Sequence, residues 1–152
     1  MKAESFHKSE RICSKQLVDQ LFGGGNATFA AFPLRAVYMF LPTPSDPSAR
    51  QVGCAPDWPV SVPAQVLVSV SKRKFRHAVD RNRMKRQVRE AYRRRKQPLW
   101  QLLESRGLHV AIAFICLSDQ PCTTRQVCRS MDRILRRIQE QLPGEGKSSR
   151  CV

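Results

Sequence analysis

Two kinds of side chain do chemistry at a protein surface: those that move protons or hold metals, and those that hold a charged partner. This chain is rich in the second kind. Between Ala78 and Lys96 the stretch AVDRNRMKRQVREAYRRRK carries nine basic and two acidic side chains. Guanidinium groups form forked, bidentate bonds to phosphate, and an Asn amide both donates and accepts at a sugar or base edge. Arg81, Asn82, Arg83, Lys85, Arg86, Arg89 and Arg93 are therefore the candidate nucleic-acid-binding residues, and Lys72, Arg73 and Lys74 continue the charge upstream. The means for protein-centred hydrolysis are sparse. A nuclease uses clustered carboxylates to hold metal, or a placed histidine as general base. The twelve acids fall in no strand pattern that would line a shared pocket, and His77 and His109 stand apart. Cys122 and Cys128, even with His109, match no zinc-ligand spacing. The expectation is no catalytic residue and no metal ligand in the protein itself.

The whole chain supports a polyanionic partner. Its 152 residues carry a net charge of +15, a self-repulsion that a polyanion relieves. Charge alone admits nucleic acid or an anionic membrane surface. No apolar run approaches the ~18 residues of a membrane span, and MKAESFHKSER lacks the apolar core of a secretory signal. A cytoplasmic location is expected, with no membrane partner and the six cysteines as reduced thiols that mostly pack.

The elements that must position the basic stretch follow from periodicity. Read at ~100° per residue, Met84, Val88, Ala91 and Tyr92 form one apolar stripe, so the stretch is a docked helix and not a loose tail. Arg81, Lys85 and Arg89 stack on the adjoining face, with Asp80 and Glu90 pointing away. Like charges at i, i+4 destabilise a helix by a few tenths of a kcal/mol each, which a phosphate partner would reverse. Upstream, KSERICSKQLVDQLFGGGN predicts a first helix with Ile12, Leu17, Val18, Leu21 and Phe22 on its apolar side, Ser14 as a cap and the glycine run as its end. TFAAFPLRAVYMFLP is strand-like, with Leu34, Ala36, Tyr38 and Phe40 on one face. Residues 42–64 hold six of the ten prolines and read as an irregular loop. QVLVSVSKRKF resumes as a strand with a dry face (Val66, Val68, Val70) and a small, hydroxylated one (Leu67, Ser69, Ser71). LHVAIAFICLS is a further strand. TTRQVCRSMDRILRRIQEQL is a last amphipathic helix that carries Arg125, Arg129, Arg133 and Arg137 at four-residue steps.

The expected fold is α+β: one small domain over 1–142 in the order α-β-β-β-α-β-α, with a mixed or antiparallel sheet of about four strands and three helices. Residues 143–152 read as a flexible tail.

SVSKR followed by AVDRNRMKRQVREAYR resembles the protein subunit of bacterial ribonuclease P. The hallmark is an Arg-Asn pair opening a helix, Lys-Arg three residues on, and arginines one and two turns later: here Arg81, Asn82, Lys85, Arg86, Arg89 and Arg93. ERICSKQLVDQLFGGG is similar to that family's first helix, and the resemblance spans roughly residues 10 to 140. Many members have a glycine in the turn before the basic helix, where this chain reads KFRH. The resemblance implies a fold like the second domain of ribosomal protein S5, with a left-handed βαβ crossover. It implies an accessory role in an endoribonuclease whose RNA subunit carries the active site and its Mg²⁺. The implied partners are that RNA, in a 1:1 holoenzyme, and precursor tRNA, with no small-molecule substrate. The basic helix would grip the RNA subunit. Val18, Phe22, Tyr38, Ser69 and Ser71 would line a groove for the single-stranded 5′ leader.

Two other readings remain open on the residues alone. One is a ribosomal or chaperone-like RNA-binding protein without a linked reaction. The other is a DNA-binding module, which would need a helix-turn-helix pair or a dimer zipper that the pattern does not contain.

Overall fold

The computed structural model describes residues 10–12, 15–23, 26–42 and 63–142. The interior of the proline-rich segment, the C-terminal tail and the expected Ser14 cap lie outside the described residues. The elements are α1 (Lys15–Phe22), β1 (Ala27–Ala31), β2 (Leu34–Pro42), β3 (Ala64–Ser69), α2 (Ala78–Arg95), α3 (Gln97–Arg106), β4 (Leu108–Cys116) and α4 (Thr124–Glu140).

The strands lie in the order β1-β2-β4-β3. The stretch read as one strand folds back at Phe32-Pro33 into an antiparallel hairpin that pairs Ala31 with Leu34. β4 is the central strand, antiparallel to β2 and parallel to β3. Its residues from His109 to Phe114 are all buried, which accounts for the near-continuous apolar run LHVAIAFIC. The parallel β3–β4 pair requires a crossover, and α2 and α3 supply it.

Side chains alternate across the sheet and build two separate cores. Leu34, Ala36, Tyr38, Val66, Val110, Ile112 and Phe114 face α2, α3 and α4 in the larger one. Val37, Ala111 and Ala113 face the other way, under Leu17 and Leu21 of α1.

Two local features depart from the expectations, and the end of α1 at the glycine run agrees with them. Ile12 precedes α1 and is not part of it: its N–H donates to the Val66 carbonyl at 3.2 Å, and Arg11 bridges to Val66 along the outer edge of β3. α1 itself ends where a Cβ on Gly23 would stand 2.9 Å from the Asp19 carbonyl, and Asn26 Nδ2 caps it by donating to the Gln20 and Leu21 carbonyls at 2.7 Å. A fourth helix, α3, occupies the stretch between the basic helix and β4. Pro98 sits in its first turn, where a backbone N–H has no intrahelical partner to lose. Leu99 and Leu103 bury its inner side, and Gly107 ends it with a left-handed φ of 63°. Pro98 therefore opens a helix where a proline would otherwise break one.

The N-terminal segment is fastened to the helices by a buried charge pair. Lys96, between α2 and α3, donates from Nζ to Glu10 Oε1 at 2.6 Å, and both side chains are about fully buried, at 1% and 0% exposure. The same ammonium lies 4.4 Å from the centre of the Trp100 ring, and Trp100 Nε1 donates to the Tyr92 hydroxyl at 3.1 Å. Burial raises the Tyr92 phenol above its ordinary value. None of this was legible beforehand, because Glu10 and Lys96 are 86 residues apart.

Candidate nucleic-acid interface

α2 buries Met84, Val88, Ala91 and Tyr92, the stripe that its sequence requires. That burial forces the remaining side chains outward, and they differ in what they do. Arg81 is turned back: its Nη1 donates to the Phe75 carbonyl at 2.8 Å and the Arg76 carbonyl at 3.0 Å. It braces the KFRH turn, which Phe75 anchors by its own burial and by donating its N–H to the Ser71 carbonyl at 3.1 Å. A brace and an anchor thus set the geometry for which a glycine is unnecessary.

Lys72, Arg73 and Lys74 are exposed on the same turn. Lys74 Nζ reaches the Leu117 carbonyl at 2.6 Å, and the Arg73 N–H donates to Ser71 Oγ at 3.2 Å.

Asn82, Arg83 and Arg86 are exposed, and with Val79 and Gln87 they line a shallow concavity on the outside of α2. Lys85 and Arg89 are half-buried on the flank toward β3. Burial, and secondarily the guanidinium of Arg11, lowers Arg89 from its ordinary value, so the β3 edge brings two cations together from distant parts of the chain. Among the described residues no acid pairs with Lys85, Arg86 or Arg89.

Arg93 differs. Glu90 swings toward it and accepts from its Nη2 at 2.6 Å and Nε at 3.0 Å, while Arg94 Nε donates to the same carboxyl at 2.9 Å. These bonds, led by Arg93, hold the Glu90 carboxyl down at about 2. The expectation that Glu90 points away from the basic face is therefore corrected: a three-residue step lets it clasp Arg93.

The expected leader-groove residues divide between the two faces of the sheet. Val18 and Phe22 lie on α1, and Phe22 is 47% exposed. Ser69 lies two residues after Leu67 on β3 and so points to the same side as α1. α1 spans only eight residues and leaves part of that face open, including exposed Thr28, Ala30 and Arg35 and half-buried Met39, Leu67 and Ile115. Ser71 is exposed but belongs to the turn after β3.

Tyr38 does not join them. It points to the helix side, is 1% exposed, and donates its hydroxyl to Gln141 Oε1 at the end of α4. Burial pushes its phenol above the ordinary value. The alternation that put Tyr38 with Leu34 and Ala36 already excludes it from the opposite face, where Arg35, Val37 and Met39 belong. Arg35, Met39 and Ile115 were the signal for that face, as the odd members of their strands.

Among the described residues no three His, Cys, Asp or Glu side chains come together as a metal site. His109 is buried at the start of β4 and His77 is an exposed helix cap without a side-chain bond.

A small sheet that holds an arginine-rich helix on one face and an aromatic beside open strand surface on the other defines a class: an α+β protein built to hold RNA. The chain belongs to the ribonuclease P protein family, whose profile, described as Ribonuclease P, matches residues 6–139. It is 39% identical over 136 residues to a ribonuclease P protein component of Porphyromonas gingivalis, covering 90% of this chain and 88% of that one. It is 36% identical over 121 residues to the component of Chlorobium phaeobacteroides, covering 76% and 74%. The solved ribonuclease P protein of Staphylococcus aureus is similar in fold, with a TM-score of 0.54 at 19% identity over 86% of this chain and 96% of that one.

Proposed function

We propose that this chain is the protein subunit of a ribonuclease P ribonucleoprotein, in which it binds the RNA subunit and the 5′ leader of precursor tRNA. In that complex it promotes the endonucleolytic cut that leaves the mature tRNA 5′ end. The observation that carries the reading is the division of labour across the sheet. Lys85, Arg86 and Arg89 of α2, which no acid pairs among the described residues, offer phosphate contacts on one face, and Phe22 stands beside open strand surface on the other. A base stacked on one aromatic ring contributes about 1–3 kcal/mol. Neutralised phosphates make affinity fall steeply as salt rises.

Among the described residues no group of three His, Cys, Asp or Glu side chains could hold a metal ion. The metal ions of the reaction are assigned to the RNA and substrate, and the protein contributes position and charge. Arg86 and Arg89 hold backbone, Arg81 aims the helix through its turn, and Val18, Phe22 and Ser69 receive the leader. Reconstitution tests this. The chain is added to a bacterial ribonuclease P RNA and precursor tRNA at low Mg²⁺, and 5′ maturation is followed. Stimulation over the RNA alone is expected. Its absence, with RNA binding intact, would favour a ribosomal or chaperone-like binder.

A further inference from the structure

The basic face of α2 does not account for the arginines of α4. Arg125, Arg129, Arg133 and Arg136 are all exposed, while Val127, Met131, Ile134 and Ile138 are buried. At ~100° per residue the four fall within an arc of about 80°, directly opposite the buried stripe. Arg137 is drawn off to the side, its guanidinium 5.8 Å from the centre of the Phe29 ring. Arg136 therefore takes the place that four-residue spacing would give Arg137. Asp132 does not neutralise the row, because Arg95 of α2 holds it at 2.6 Å. Among the described residues the four have no ion pair. Every basic residue of α4 is Arg and none is Lys, the choice suited to bidentate phosphate binding rather than to hydration alone.

The surroundings indicate what kind of RNA fits. α4 lies over β1 and β2, and α2 over β3, on the same face of the sheet. Arg95–Asp132 joins the two helices, and Gln87 Nε2, donating to the Cys122 carbonyl at 3.2 Å, ties α2 to the segment that leads into α4. Exposed Arg83 and Arg86 of α2 thus share one outer surface with the α4 row. Four residues advance a helix by about 6 Å, and packed helices lie roughly 8–10 Å apart. The result is a two-dimensional array of cations. Single-stranded RNA is held by bases stacked on aromatic rings, and neither helix offers one here: α4 contains no aromatic residue and the one on α2, Tyr92, is fully buried. Charge in two rows without stacking suits a duplex, which is recognised through its backbone.

We propose that the outer face of α4 is a second RNA-binding surface, which holds the phosphate backbone of a double-helical segment of the RNA subunit alongside α2. The RNA subunit is the source, because a precursor whose leader lies in the α1-side groove is on the far side of the sheet. The inference rests on the subunit reading above.

The test is the triple variant Arg129→Gln, Arg133→Gln, Arg136→Gln, which keeps helix propensity and is checked by circular dichroism. Binding is measured across a salt series to the RNA subunit, to a single-stranded oligonucleotide of leader length, and to a precursor-tRNA acceptor stem. Affinity for the RNA subunit is expected to fall at least tenfold, on the order of the loss of two or three phosphate contacts, with the log–log salt slope shallower by about 2. Binding to the oligonucleotide is expected to stay unchanged. Wild-type affinity and slope for the RNA subunit would overturn the proposal. So would an equal loss on the oligonucleotide, or a loss confined to the acceptor stem. Failure of the wild-type chain to stimulate cleavage would instead overturn the subunit reading itself.

Discussion

The two faces of the sheet are built from the same alternating strands and yet end up differently. On the helix side, α2, α3 and α4 cover most of the sheet, so its central residues are packed and it is mainly the outer sides of the helices that meet solvent. On the α1 side, one eight-residue helix covers part of the sheet, so strand side chains themselves remain accessible. The lesson is that the covered face presents charge at fixed spacing, whereas the open face presents shape and an aromatic ring. A folded RNA needs the first and a flexible single strand needs the second. The Glu10–Lys96 pair ties the segment leading into α1 to the junction of α2 and α3, so it keeps the two faces in register.

That fastening is where the comparison breaks most severely. Lys96→Met leaves the Glu10 carboxylate buried without its cation and is expected to destabilise the fold by about 3–5 kcal/mol, read as a lower urea midpoint. The double variant with Glu10→Met should recover much of the loss.

Arg86→Ala with Arg89→Ala should leave stability nearly unchanged and weaken binding to the RNA subunit by about 2 kcal/mol, with a shallower salt slope. An unchanged slope in a salt titration would remove α2 from the phosphate-binding face.

Phe22→Ala sharpens the contrast between faces. It should weaken leader-bearing precursor by about 1–2 kcal/mol relative to mature tRNA, whereas Tyr38→Phe should leave that ratio untouched and cost about 1 kcal/mol of stability through the lost bond to Gln141. Parallel binding assays on the two RNAs distinguish these outcomes.

The smallest effect is electrostatic. Glu90 has its carboxyl lowered from 4.5 to about 2, so its clasp on Arg93 and Arg94 stabilises the fold fully above pH ~4.5. That contribution is lost as pH falls toward 2. With the carboxylate side chain 43% exposed, solvent screening limits it to under about 1 kcal/mol. Denaturation of wild type and Glu90→Gln should differ at pH 6 and converge near pH 2.

Much of this molecule is readable along the chain where neighbours in sequence are neighbours in space. The α2 stripe, the apolar side of α4 and the alternation of β2 and β3 are all local periodicities. The RNA-binding character follows from charge density and the Arg81-Asn82 opening. α3 was missed because a proline in a first turn and a proline that breaks a helix read alike without the packing of Leu99 and Leu103. Tyr38 was misassigned to the groove because alternation says which residues share a face, but not which face a helix will cover.

The sequence by itself thus determined most of the elements, their apolar sides and the class of partner, since these rest on steric periodicity and net charge. Only the tertiary structure decided which arginines stay free. It turned Arg81 onto its own turn, gave Arg93 to Glu90, brought Arg11 beside Arg89 and buried Lys96 against Glu10. Hydrogen-bond geometry and desolvation act over a few ångströms between residues that the chain separates by as many as 86 positions, and no local pattern records that distance.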